Sequence, residues 1–250
     1  MPERDPTTRF TDRVADYTRY RPSYPPEAID AILEGLGDPA SLVAADVGAG
    51  TGISARLLGD RGVRVIAIEP NLAMREGAEP HALVEWRHAT GEATGLDGSS
   101  VDLILCAQAY HWMDPERACA EFARVLRPGG RLALMWNDGD ETTPVAAGYY
   151  DLLRRVATDG TLSHKTAAVG PTMASPFESM RRETFRNVQR MDRAGLIGRA
   201  MSASYVPRSG PERDWLVEQL NLLHDAHAGA DGRVGFEYQV TVYLGEVEGG

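Results

Sequence analysis

Cysteine is nearly absent from this chain, with two residues in 250, Cys106 and Cys119. They are too few for a disulfide framework and lack metal-ligand spacing, so no metal is expected and a reducing cytoplasm is the expected compartment. Long apolar runs are missing too: no stretch approaches the roughly eighteen residues of a membrane span. The opening "MPERDPTTRFTDRV" has no apolar core of the kind a secretory leader needs. Basic residues are in deficit, 26 Lys and Arg against 36 Asp and Glu, for a formal charge of −10. That balance disfavours a general nucleic-acid or anionic-membrane surface. The expectation is a soluble monomer or homodimer whose partner is a small molecule, with no nucleic acid and no membrane.

What is present is alternation. The hydrophobic fraction, 43%, supports a single domain with a sizeable core. Prolines in "YRPSYPPEA" break the chain before a helical run over Glu27–Leu36. Four apolar segments follow, "SLVAADVG", "VRVIAIEP", "VDLILCAQA" and "RLALMWND", at spacings that suit intervening helices. They read as parallel strands buried on both faces. "DPERACAEFARVLRPGG" opens on an Asp cap with Pro in the first turn and closes on Pro and Gly, the punctuation of a helix. Further on, "PVAAGYYDLLRRVA" is helical, 159–180 is loop-like, "ETFRNVQRM" reads as a strand, and helices are predicted near 192–203 and 211–227 before a last strand, "GFEYQVTVYLGEV". Strand and helix in alternation mean an α/β doubly wound sheet, completed by antiparallel strands.

The stretch "AADVGAGTG" places Gly48, Gly50 and Gly52 directly behind the first strand. Such glycines allow a sharp turn, a close approach of backbone to ligand, and tight helix–strand packing. A packing turn alone would use them as well. Glu69, ending the second strand in "VIAIEP", adds a carboxylate placed to accept bonds from both hydroxyls of a ribose. The spacing is G-x-G-x-G, whereas a dinucleotide site calls for G-x-G-x-x-G over a pyrophosphate. Asp46 lies just ahead of the glycines, where phosphates would not want an acid and a cationic adenosyl group would. These features favour S-adenosylmethionine over NAD.

"DVGAGTG", "VIAIEPNLAMRE", "GEATGLDGSSVDLILCAQAYHWMDPERACAEFARVLRPGGRLALMWND" and "YTRYRPSYP" together resemble the class I S-adenosylmethionine-dependent methyltransferases, in particular the small-molecule type of the trans-aconitate and thiol methyltransferases. The resemblance covers roughly residues 10–138. It implies an α/β Rossmann-like seven-stranded mixed sheet in one domain. Its parts would be an N-terminal lid helix (1–40), a cofactor-binding core (41–138), a helical substrate-cover insertion (139–180) and C-terminal strands and helices (181–250). It further implies that Gly48, Ala49, Gly50 and Gly52 line the cofactor and that Asp46 faces its amino-acid end. Glu69 would hold the ribose, with Asn71 and Met74 near the adenine. Thr90, Gly91 and Glu92 would form the adenine-edge loop, although the commoner pattern has Asp there. Gln108 would lie by the methionine part, with Tyr20 and Arg21 closing over the cofactor and Tyr17 nearer the substrate.

Methyl transfer needs its two partners held in line and near contact; it needs no metal and no nucleophilic side chain. A base helps only an acceptor that is not already an anion or a free lone pair. His111 in "AYHWMD" can act as that base or can simply position the loop, and Tyr110, Trp112, Trp136 and Asn137 are candidate walls of the acceptor pocket. Cys106 and Cys119 read as small buried hydrophobes. His164 and Lys165 fall in the loop-like insert, and the basic stretch 180–193 reads first as a solvated face. The expected activity is methylation of a carboxylate or hydroxyl oxygen of a small molecule, yielding S-adenosylhomocysteine. The alternatives are S-methylation of a thiol, a non-catalytic S-adenosylmethionine-binding protein, and an NAD-dependent oxidoreductase.

Overall fold

A computed structural model describes residues 18–157, 177, 180–203 and 205–247. Among these, β1 (Val43–Val47), β2 (Arg64–Ile68), β3 (Val84–Arg87), β4 (Val101–Ala107), β5 (Leu126–Gly139), β6 (Arg181–Met191) and β7 (Val234–Glu246) form one seven-stranded sheet in the order β3-β2-β1-β4-β5-β7-β6. The first five run parallel, and β7 inserts antiparallel between β5 and β6. The mixed, doubly wound sheet expected from the alternation is the one observed.

Every residue of β1 is buried, as a central strand covered on both faces must be. One face packs beneath α1 (Pro26–Leu33) and α2 (Ile53–Gly59), through Ile29, Ile32, Ala55 and Leu58. After β2 comes the short α3 (Leu72–Glu76). The opposite face packs beneath α4 (Pro115–Val125), whose Ala118, Cys119, Phe122 and Val125 recur at helical spacing. Asp114 caps α4, its carboxylate accepting from the Glu116 and Arg117 amides at 3.1 Å. A third core joins α5 (Pro144–Val156), α6 (Arg193–Met201) and α7 (Pro211–His227) to the start of β7, with Tyr149, Leu153, Leu196, Leu220 and Phe236 at its centre.

Two helix ends and one strand differ from the sequence reading. Helix α1 stops at Leu33, short of Leu36: Gly35 turns left-handed (φ +81), and the Arg131 guanidinium takes the carbonyls of Ile32 and Glu34 at 3.0 and 2.6 Å. Helix α4 stops at Val125, because Pro128 cannot continue it and buried Leu126 pairs with Val101 at the head of β5. The short strand β3, "VEWR", was not among the strands anticipated.

Residues 18–20 are helical, and the segment they open straps the carboxyl edge of the sheet. At one end the Thr18 hydroxyl donates to Gly77 O (3.4 Å), behind α3. At the other, Ser23 O accepts from Asn137 Nδ2 (3.3 Å) and Asn187 Nδ2 (2.7 Å), on β5 and β6. Among the described residues no helix is long and apolar enough to cross a membrane.

Candidate active site

The sheet order reverses at β1, with β2 on one side and β4 on the other, so the crevice of this sheet opens beyond their carboxyl ends. The glycine turn lies there. Gly48, Gly50 and Gly52 all have positive φ (+71, +59 and +76). At Gly48 a Cβ would fall 2.4 Å from the Cβ of Ala109, so the β1 and β4 turns touch only because that atom is missing. At Gly52 a Cβ would meet the Trp86 ring at 2.9 Å, so this glycine admits β3 against the head of α2.

The amides of the turn are already in use. Gly48 N and Ala49 N both donate to Ile68 O, at 2.9 and 3.1 Å, and Gly50 N donates to Glu69 Oε2 at 2.9 Å. The other Glu69 oxygen accepts from Asn71 N at 2.8 Å. The Glu69 carboxylate is therefore fixed as a bridge between the first and second strands, with further lone pairs on both oxygens. Burial raises its pKa, and the Asn71 and Gly50 amides offset this in part. Asn71 also caps α3, its Oδ1 accepting from Met74 N at 3.3 Å, and Met74 is buried beneath.

Asp46 is 0% exposed. Its Oδ2 accepts the Ser54 hydroxyl at 2.7 Å, while Oδ1 has no hydrogen-bond partner among the described residues. Burial pushes this carboxyl up to about 7; the Ser54 hydroxyl and the Ala55 amide only partly oppose that, and nearby Glu69 adds to it. A buried acid without a counter-ion suits a ligand that brings a positive charge.

The turn after β4 opens on Gln108, a non-glycine residue held at φ +59, whose amide donates to Met135 O (2.8 Å) and whose Nε2 donates to Asn137 O (3.1 Å). Strained backbone of this kind gathers at functional turns. His111 and Trp112 follow in a 3-10 turn, Tyr110–Trp112, with ring centroids 4.8 Å apart. Thr90 bridges to Ala93, and Glu92 accepts Asp114 N at 2.9 Å, tying the 90–93 loop to the cap of α4. Gly91 packs against Met113, which also approaches Gly48; sequence reasoning passed over both Met113 and Trp86, although each sits where a glycine leaves room.

Several expected residues lie elsewhere. Tyr110, expected as a pocket wall, is 3% exposed in the core, with its hydroxyl 3.2 Å from Cys119 Sγ; burial raises both pKa values. The reason is register: the turn after β4 aims this ring at α4. Trp136 is also largely core, edge-on to Tyr243 at 6.0 Å, yet it borders a cavity of about 330 Å³ with Asp138, Gly139, Arg182 and Gln239. The Tyr20 ring lies on α6 against Gly198, and Arg21 Nη2 reaches Ser202 O at 3.5 Å. Tyr17, His164 and Lys165 lie outside the described residues.

A pyrophosphate would find the amides of Gly48, Ala49, Gly50 and Gly52 committed and two carboxylates beside it. Fold and site instead define a class I S-adenosylmethionine-dependent methyltransferase, and the chain belongs to that family. The methyltransferase domain family matches residues 45–134, from β1 through most of β5. An uncharacterized methyltransferase of Mycobacterium tuberculosis, Rv3342, is 36% identical over 236 residues, covering 92% of each chain. A methyltransferase-like protein of Schizosaccharomyces pombe, C25B8.10, is 36% identical over 162 residues, 64% of this chain and 63% of its own. Among solved structures, a protein of Anaeromyxobacter dehalogenans described as a candidate type II methyltransferase superposes with a TM-score of 0.71 at 27% identity, over 92% of this chain and all of that one. S-adenosylmethionine is the cofactor, and Asp46 Oδ1 is the observation in this structure that fits its cationic amino-acid end.

Proposed function

We propose that the protein methylates an oxygen, carboxylate or hydroxyl, of a small molecule in the cytoplasm. The observation that carries the small-molecule reading is the strap. The strap over residues 18–24 crosses the carboxyl edge of the sheet from Gly77 to Asn137 and Asn187, and the α5–α7 layer packs on β7 beside it, so elements beyond the sheet stand near that edge. When bound, the cofactor supplies a methyl group already activated by positive sulfur. The chain's own residues then orient: Glu69 holds the ribose, Asp46 faces the ammonium, the glycine turn lets the backbone come close, and Gln108 and His111 face the acceptor. The test is turnover of labelled S-adenosylmethionine against a panel of carboxylic acids, phenols and thiols. Label in an ester or ether supports the proposal; label in a thioether alone replaces it with S-methylation, and cofactor binding without transfer to any acceptor leaves a binding protein.

Two substitutions test the assignments. Glu69→Ala should weaken S-adenosylhomocysteine binding by about 1.5–3 kcal/mol, roughly 10- to 100-fold in Kd by calorimetry, because a charge-assisted contact is lost. Unchanged affinity would remove the ribose role. His111→Ala separates base from positioning. As a base, it should cost about 10²–10⁴-fold in kcat for a hydroxyl acceptor, with the acidic limb of the pH–rate profile, where the base becomes protonated, altered. A small loss that is equal at all pH values would leave His111 a positional residue.

A further inference from the structure

Two arginines among the described residues are buried, and their surroundings differ. Arg131 is compensated: Glu246 pairs with it at 2.7 Å, and the carbonyls of Ile32 and Glu34 accept from it. Arg199, on α6, is 5% exposed and pairs with no acid among the described residues. Its side-chain hydrogen bond runs from Nε to the Tyr238 hydroxyl at 3.3 Å. The groups that act on it most strongly are the phenols of Tyr238, Tyr149, Tyr150 and Tyr205, none of them a carboxylate. The Tyr149 hydroxyl is itself buried without a partner among the described residues. A guanidinium cannot shed its proton to escape burial, so an uncompensated one carries a desolvation cost that an arriving anion relieves.

Its position ties it to the acceptor side. The Tyr238 hydroxyl donates to Gln189 Oε1 (2.9 Å), and Gln189 Nε2 donates to Tyr20 O (3.1 Å) on the strap. Farther along, Ser23 O takes Asn137 Nδ2, and Asn137 O takes Gln108 Nε2. Gly198, the neighbour of Arg199, is the residue on which the Tyr20 ring rests. Hydrogen bonds and strap thus lead from the turn after β4 to the guanidinium.

We propose that Arg199 is the anion anchor of the acceptor pocket, taking a carboxylate that the small-molecule substrate carries in addition to the oxygen it methylates. This rests on the methyltransferase reading above. A carboxylate forked by a guanidinium is a poorer nucleophile than a free one, so the anchored group orients the substrate while another oxygen reacts.

The test uses the full chain, as Arg199→Met and Arg199→Lys. Calorimetry measures succinate and tricarballylate, with their methyl esters as uncharged controls, in the presence and absence of S-adenosylhomocysteine. The wild type should bind the acids and not the esters; R199M should lose that binding, and R199K should bind about tenfold more weakly, because an ammonium lacks the planar fork. Without anions R199M should melt no lower than the wild type, since an unpaired buried charge has gone, and the acids should raise the melting temperature of the wild type only. Equal carboxylate affinity in R199M and wild type, or no carboxylate binding by the wild type, overturns the proposal. If R199M is impaired in folding, R199K carries the same comparison, and acid affinity unchanged in R199K then overturns it. A second control separates the cofactor's own carboxylate: loss of S-adenosylhomocysteine affinity in R199M, with methylthioadenosine affinity kept, would assign Arg199 to the cofactor and also overturn the proposal. Failure of the wild type to bind S-adenosylhomocysteine would instead strike the cofactor-site reading, while the acid titrations without cofactor still judge Arg199.

Discussion

Gly48→Ala is expected to lower the melting temperature by about 5–15 °C and to abolish methyl transfer, at roughly 2–4 °C per kcal/mol for a chain of this size. Two costs add. At φ +71 an alanine is forced into the left-handed region, worth about 1–2 kcal/mol. Its Cβ also arrives 2.4 Å from the Cβ of Ala109, and an overpacked contact of that kind costs about 1–3 kcal/mol more. Neither neighbour can yield cheaply, because Ala109 has no flexible side chain to move and Gln108 beside it is already held at φ +59. The turn after β4 must shift, and His111 with it. Gly95→Ala is the control: its φ is +68, but nothing lies within 4 Å of the new Cβ, so strain acts alone. Equal melting of the two variants would mean that the contact between the β1 and β4 turns has no energetic weight.

That contact illustrates what the sequence could and could not disclose. The glycine turn, Glu69 and Asp46 were legible because local chemistry sets them: a buried apolar run, residues free to take positive φ, and an acid at a strand end. The central strands were legible for the same reason, since burial on both faces writes a continuous apolar run. β3 was not, because "VEWR" is short and half polar, and it is a strand only through its pairing with β2. Tyr110 was misplaced because an aromatic after a strand reads alike whether it turns to solvent, ligand or core; its contact with Cys119, across a helix, decides. Arg199 was invisible altogether. On sequence it is one arginine in the mostly apolar run "AGLIGRAM", and only the packing of α5, α6 and β7 strips it of water and acids.

The second large effect concerns Asp46. Asp46→Asn should stabilise the cofactor-free protein at pH 8, lose that advantage at pH 5, and flatten the pH dependence of cofactor binding. In the folded protein the Asp46 carboxyl titrates at about 7, against 3.8 for the unperturbed group, because burial disfavours its charge. Between those values the folded state holds a proton that the unfolded chain has released, so stability falls as pH rises through this window. At about 1.4 kcal/mol per pH unit, the full cost of charging Asp46 is about 4 kcal/mol above pH 7. Asparagine avoids the charge but leaves its amide N–H where Oδ1 has no partner, which costs about 1–3 kcal/mol in return. The net gain at pH 8 is about 1–3 kcal/mol, or roughly 2–10 °C in melting temperature. Glu121, held down at about 2 chiefly by Arg124, contributes with the opposite sign at low pH in wild type and variant alike, so the difference between their melting curves isolates Asp46. For the cofactor the sign reverses. A bound ammonium draws Asp46 into its charged form, so wild-type affinity for S-adenosylhomocysteine should fall by up to about tenfold per unit below pH 7 as protonation competes. D46N should bind weakly and evenly across that range. If D46N melted below the wild type at pH 8 while wild-type affinity stayed level from pH 8 to pH 6, the buried carboxylate would be a fixture of the α2 junction, and the ammonium would have to find its counter-charge elsewhere.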